Sequence, residues 1–555
     1  MNSDREGIAM AGKNNLPVKE LPKAAYAGVT VSDSGFFGAI IGEGLPLACK
    51  EYQATVPAIS KKIVSWLSQM KRLHNVKIVG VGLVEKEGWQ RERLGAALWL
   101  KHDIVPHLLS LVGPKGNKQA SRAARDVSKM YDGFVARPVF GSQREIIPSF
   151  LTEIDDFEFV TKERDLRRLL HQAECFKRLN GKIVFFSSTP SGGGVALMRH
   201  ALIRLLRLYG VDAHWHVLSP KKEVFHVTKH KFHNILQAVA PKNYVLSRRD
   251  KKTYLDWINE NVKIFRTVFK KADVIVIDDP QPSGLIPFIK KENPKAKIIY
   301  RSHIELRTDL MRKAGTQQHI TWNFLKGPIH QADVFVSHPI ASFVPKDVPK
   351  KKVVFMPATT DSLDGLNKNL SEAQRRYYQR VFNQYLLSSG QTPLSTSRPY
   401  IIQIARFDPS KGIPDVIETY RRLRKQLSDN KDMPKGEIPQ LVIIGNGAID
   451  DPEGSSILQE ALFLLDMDRY RYIAHDIKMV RVPHIDQVLN ALLSGSSIAL
   501  QLSHREGFEV KVTEAFKKGK PVIAYRTGGI PLQIRHGMAG YFVRSGDTKK
   551  VAEYL

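Results

Sequence analysis

Apolar and polar positions follow two rhythms along this chain. From about residue 181, short apolar runs recur: "GKIVFFSST", "VDAHWHVL", "ADVIVIDDP", "AKIIYRSH" and "ADVFVSHP". Between them lie stretches with helical spacing, such as "VALMRHALIRLLRLYG". Apolar runs bounded by turn residues and alternating with helices predict a parallel, doubly wound sheet buried on both faces. A second series begins at "RPYIIQIARFDPSKG" and continues through "PQLVIIGNGAID", "SIALQLSH" and "KPVIAYRTGG". The pattern predicts an α/β protein with two Rossmann-like halves. Ligands of such sheets bind beyond the C-terminal strand ends, so a cleft between the halves is expected.

Residues 1 to about 150 form a region of their own. There "NVKIVGVGLVEKEGW" is strand-like, and "ATVPAISKKIVSWLSQMKRL" predicts an amphipathic helix with Val56, Ile59, Ile63 and Trp66 on one face. No catalytic motif stands out in it. The expected division is an N-terminal extension over 1–150, a first Rossmann-like domain with linker over 151–390, and a second over 391–555. A Pro-, Lys- and Ser-containing connection, about 345–398, joins the halves and carries one polar helix, "SEAQRRYYQRVFNQYL".

A chain of 555 residues exceeds one ordinary core, and 43% hydrophobic with 25% charged residues is a soluble, globular composition. The opening "MNSDREGIAMAGKNN" lacks the apolar core of a secretory signal, and no apolar run approaches the roughly 20 residues that span a bilayer. Cys49 and Cys175 are the only cysteines, far apart, which excludes a disulfide framework and a zinc spacing. A cytoplasmic protein without a membrane partner is the plain reading; a homo-oligomer is compatible with it. The net charge of +29 is spread in short clusters such as "VPKDVPKKK" rather than in one stripe. With no helix-turn-helix, zinc-finger or RNA-recognition signature, no specific nucleic acid is expected. Small anionic substrates suit the charge.

The strand ends carry the chemistry. In "TPSGGGVAL", Gly192, Gly193 and Gly194 sit where a strand passes into a helix. They make either a tight turn or a loop that lets backbone amides approach an anion. The dinucleotide fingerprint and the P-loop are both absent. "ARFDPSKG" spaces Arg406 and Lys411 across a Pro-Ser turn that folds a guanidinium fork and an ammonium toward one point, as phosphate binding needs. "IDDPQPSG" puts Asp278 and Asp279 at the end of an apolar strand, and "YRSHIE" puts Arg301 and His303 at the end of the next. A capping aspartate and a core histidine are the alternatives there. "HREGFEVKVTE" holds three glutamates, two of them eight residues apart. Glu506 would precede a helix and Glu514 lie roughly 12 Å along it. That is too far for the roughly 5–9.5 Å pairing of glycosidase carboxylates, but it suits hydroxyls of one long ligand.

Together these motifs resemble the retaining glycosyltransferases of family 4, which have the two-Rossmann GT-B fold. The resemblance spans about 180–555. "SSTPSGGGVALMRHALIRLLRLYGVDAHWHV", "DDPQP", "RSHIE" and "SHREGFEVKVTEAFKKGKPVIAYRTGGIPLQI" look more narrowly like the trehalose phosphorylase and trehalose synthase branch, and the basic N-terminal region like its fungal members. The resemblance implies reversible phosphorolysis of α,α-trehalose to α-glucose 1-phosphate and glucose with retention. Its alternatives are synthesis of trehalose from UDP-glucose or another nucleotide-activated glucose, and a non-catalytic sugar- or phosphate-binding relative. It further implies no metal or other cofactor, phosphate being a co-substrate. By the same token Arg406 and Lys411 would bind phosphate, with Arg301 and the three glycines on the phosphate and acceptor side. Asp279 and His303 would hold the glucosyl units, Glu506 hydroxyls of the transferred glucose, and Glu514 the ribose in a nucleotide user. Family members continue past the position of "GDTKKVAEYL", so the second half is expected to be incomplete at its C-terminus.

Overall fold

The computed structural model describes residues 21–55, 58–84, 93–429, 434, 436–447 and 454–555. Val56, the opening residues, the end of "NVKIVGVGLVEKEGW" and the last residues of "PQLVIIGNGAID" lie outside them.

The chain builds three layered units. In the first, β1 (Lys23–Val31), β2 (Gly35–Gly42), β3 (Leu45–Gln53), β4 (Val76–Val84) and β5 (Val105–Leu109) form a mixed sheet in the order β3-β2-β1-β4-β5. The helix Ile59–Leu73 covers one face with Ile59, Ile63, Trp66 and Leu67. The helix Asn117–Lys129 lies so close to the other face that a Cβ on Gly28 would strike the backbone of Ala120 and Ala124. A short hairpin, β6 (Tyr131–Asp132) and β7 (Val135–Ala136), follows.

The second unit is a wholly parallel sheet of β8 (Lys182–Ser187), β9 (Asp212–Val217), β10 (Val274–Asp278), β11 (Lys297–Arg301), β12 (Val334–Ser337) and β13 (Val353–Phe355). Its order is β13-β12-β11-β10-β8-β9. The third is also parallel: β14 (Tyr400–Ile404), β15 (Gln440–Asn446), β16 (Ile477–Val482), β17 (Ile498–Gln501), β18 (Val522–Tyr525) and β19 (Gly540–Val543), in the order β16-β15-β14-β17-β18-β19. All five residues of β14 are buried, as helices on both faces require. Both sheets reverse their winding once, between β8 and β10 and between β14 and β17. Such switch points open the crevices in which ligands sit.

The helix Glu372–Ser388, polar in composition, is amphipathic. Tyr378, Val381, Phe382 and Leu386 enter the core of the third unit beside Tyr400 and Leu492, and Ser371 and Gln374 form its capping box. The extension is joined to the rest by buried polar bonds. Asp103, in left-handed backbone conformation, pairs with Lys77 at 2.8 Å and Lys368 at 2.7 Å. It also accepts from the Tyr378 hydroxyl and from Gln487 Nε2 at 3.1 Å. The Lys368 ammonium lies 3.3 Å from the centre of the Trp99 ring, whose indole N–H donates to Leu363 O at 2.7 Å. Among the described residues no helix is long and apolar enough to cross a membrane.

Candidate active site

One cavity of about 310 Å³ lies between the two parallel sheets. Its wall includes Gly192–Gly194, Asp279, His303, Arg406, Lys411 and Glu506. Loops at both switch points therefore reach one space.

On the first sheet, the loop after β8 turns at Gly192, whose φ of +102° favours glycine, and Gly194 begins the helix Gly194–Leu208. A Cβ on Gly193 or Gly194 would meet nothing within 4 Å. The protein's own packing thus does not demand glycine there, whereas close approach of a ligand would. Further along this helix, Arg199 grips Asp278 at the end of β10 with two bonds of 2.6 Å. Burial opposes ionisation of Asp278, but Arg199 outweighs it and holds the carboxyl well below its ordinary range. Asp278 in turn bonds His303 Nε2 at 2.8 Å. Burial pulls His303 down to about 4, so its ring is neutral, and the ionised Asp278 keeps the proton on Nε2. Nδ1 is left as a buried acceptor with no hydrogen-bond partner among the described residues.

Asp279 differs from its neighbour. Its φ is +65°, and its Oδ1 accepts from His303 N at 2.7 Å. Burial, with Asp278 alongside, pushes it up to about 7 despite that bond. Two adjacent aspartates are thus separated into an ionised anchor and a carboxyl poised near neutrality.

On the second sheet, Arg406 follows β14 after one residue, Ala405. Asp408 accepts from Ser410 N at 2.9 Å and Ser410 Oγ at 2.7 Å, fixing the Pro409–Lys411 turn. Gly412 closes it at φ +60°, where a Cβ would strike Leu502 O. The turn delivers Lys411 between two carboxylates: its ammonium bonds Glu506 and, at 3.0 Å, Glu509. Burial pushes Glu506 up, helped by the charge of Glu509; Lys411 holds Glu509 down. Glu509 also caps the helix Val510–Lys517 from a left-handed conformation, φ +64°. Room for the Glu506–Phe508 segment comes from "TGG": a Cβ on Gly528 would meet Glu506 O, and one on Gly529 the Phe508 ring.

Two of the residues picked out in sequence stand elsewhere. Arg301 is not part of the cavity wall; its guanidinium donates to Pro357 O at 3.1 Å and rests on Met356 Sδ at 2.9 Å. Glu514 is buried behind the wall, with Lys511 at 2.6 Å and Thr360 at 3.4 Å. Sequence reasoning assigned no role to Arg199, Lys229, His233, Asp408 or Glu509. The middle glutamate of "HREGFEVKVTE" was visible, and an arginine inside the apolar helix "VALMRHALIRLLRLYG" was a signal of a buried ion pair. Nothing local marked the others. No group of three or more His, Cys, Asp or Glu suited to a metal occurs among the described residues.

Residues 185–345 match the family described as "Trehalose synthase, N-terminal domain", and residues 388–555 match "Glycosyl transferases group 1". The chain is similar to a trehalose phosphorylase of Grifola frondosa, 36% identical over 99% of this chain and 83% of that one. It is 49% identical to a trehalose phosphorylase of Pleurotus pulmonarius over 67% of this chain, and spans about half, 51%, of that relative's length. A trehalose synthase of Thermococcus litoralis is 34% identical over 70% of this chain and 85% of that one. Among solved structures, a trehalose-6-phosphate synthase superposes with a TM-score of 0.51 at 12% identity, covering 68% of this chain and 90% of that one. At that identity the likeness speaks for the GT-B fold alone.

Proposed function

This chain belongs to the trehalose phosphorylase and trehalose synthase family of glycosyltransferases, and we propose that it is a phosphorylase, converting α,α-trehalose and phosphate to α-glucose 1-phosphate and glucose with retention. The observation that carries the reading is the shared cavity. The His303 ring and the Asp279 carboxyl on one side, and Arg406 with Lys411 on the other, face one space from opposite sheets.

In this reading phosphate lies against Arg406 and Lys411, and the glucosyl unit to be transferred against His303, Asp279 and Glu506. His303 Nδ1 accepts a sugar hydroxyl proton, and the Asp279 carboxyl donates to or accepts from another. A phosphate oxygen forms its bond to C1 on the face from which the glycosidic oxygen departs. The phosphate's proton passes to that oxygen, so glucose leaves neutral. Arg406 and Lys411 compensate the phosphate charge as it redistributes; the aligned sugar contributes through orientation. Phosphate is the co-substrate and the residues above act without a metal. The sequence-based cytoplasmic placement belongs to the same proposal.

A nucleotide-sugar synthase is the second reading. Glu514, its ribose ligand by resemblance, pairs with Lys511 through one oxygen and lies 3.4 Å from Thr360 through the other, and a trehalose synthase is among the similar proteins. The experiment is glucose 1-phosphate release from trehalose and phosphate, beside a UDP-glucose plus glucose reaction. Phosphate-dependent release, reduced about 10²–10³-fold by Arg406→Ala, is expected. Trehalose made only from UDP-glucose would make it a synthase. Sugar binding with no turnover in either reaction would leave a binding protein.

A further inference from the structure

The segment His226–Asn234 is wound as a π-helix, a rare form that recurs at functional sites. It presents Lys229 and His233 to the cavity, with Gln237 one step further at the same four-residue spacing. Lys229 crosses to the second sheet and bonds Asp408 Oδ2 at 3.2 Å, both side chains being about 95% buried. The π-helix is thereby tied to the turn that carries Arg406 and Lys411. His233 Nδ1 is buried and has no hydrogen-bond partner among the described residues. Burial, followed by the charges of Lys229 and Arg406, keeps the imidazole neutral.

We propose that this segment completes the phosphate site, with His233 as a phosphate-binding residue that donates a hydrogen bond to a phosphate oxygen. A neutral imidazole carries one N–H and one lone pair. Among Lys229, Arg406 and Lys411 it adds a directional donor without a fourth positive charge, and phosphate gives its unmatched nitrogen an acceptor. The Lys229–Asp408 bond sets the distance between this donor and the cationic turn. The sugar is held by other groups, so losing His233 acts on phosphate selectively. The inference rests on the phosphorylase reading.

The test uses the full chain with His233→Ala and His233→Gln, titrated calorimetrically with inorganic phosphate and assayed for phosphorolysis, with thermal unfolding as a control. The expected result is a KM for phosphate raised about tenfold in His233→Ala, partly restored in His233→Gln, with the KM for trehalose within about twofold of wild type. An unchanged phosphate KM in both folded variants would overturn the inference and leave the phosphorylase reading standing. Equal rises in both KM values with a lowered Tm would reduce His233 to a packing role. A wild-type protein that neither binds phosphate nor consumes it would remove both readings.

Discussion

Asp278 binds Nε2 of His303 at 2.8 Å while both of its oxygens are gripped by Arg199 at 2.6 Å. The arrangement runs from the helix behind the glycine loop, through the end of β10, to the loop after β11. It fixes both the tilt and the tautomer of the histidine, because an ionised carboxylate accepts and so keeps the proton on Nε2.

Replacing Arg199 by lysine keeps the charge but loses the two-pronged grip. His303 then tilts away from the sugar, and kcat for phosphorolysis is expected to fall about 100-fold, with a smaller change in KM for phosphate. Steady-state kinetics beside thermal unfolding check this. Wild-type kcat in a folded variant would mean that His303 is oriented by something else.

The second expectation concerns pH. The folded protein raises Asp279 to about 7, so it binds that proton more tightly than the unfolded chain does. The associated stability is fully present below about pH 4, the unfolded value, and is lost as pH rises through 7. The loss is on the order of 4 kcal/mol for this buried group. Asp279→Asn has no proton to lose. Its Tm relative to wild type should therefore climb from pH 4 to pH 8. A flat difference across that range would show that Asp279 ionises as an ordinary carboxylate.

Third, Asp103 is a carboxylate shared by Lys77 and Lys368. Removing it with Asp103→Ala leaves two buried ammonium groups uncompensated, which costs about 3–5 kcal/mol. Chemical denaturation should show the midpoint falling, with a loss of activity that follows unfolding rather than precedes it. A variant as stable as wild type would mean that the extension is joined to the halves by its apolar contacts alone.

Both parallel sheets were legible in sequence because their central strands, such as β10 and β14, are buried and read as apolar runs, whereas edge strands such as β13, with Val354 and Phe355 exposed, carry no such signal. Neither strand order nor switch point is written locally, since both depend on which runs pair. The glycine loop, Asp279, His303, Arg406, Lys411 and Glu506 were recognisable because each stands at a strand end in a motif of known order. Arg199, Lys229 and Asp408 were not, because their partners lie 79 and 179 residues away. Arg301 shared a strand end with His303 yet turns to Pro357. Residues that close in sequence can diverge where a strand passes into a loop, and no local rule says which enters the cavity. Glu514 was read along a straight helix edge, where spacing alone cannot reveal that Lys511, one turn earlier on the same helix, would claim its carboxylate.

Gly507 marks where the two halves touch. A Cβ there would run into the carbonyl oxygen of His303, and His338 stacks on Phe508 with ring centres 5.7 Å apart. The two sheets thus abut at the very loops that would receive substrate, latched further by Lys229 on Asp408. The contact lies at the edge of the cavity of about 310 Å³, whose wall Gly507, His303, His338 and Phe508 all join. Replacing Gly507 with a larger residue would therefore press the two halves apart at this contact rather than reshape one loop.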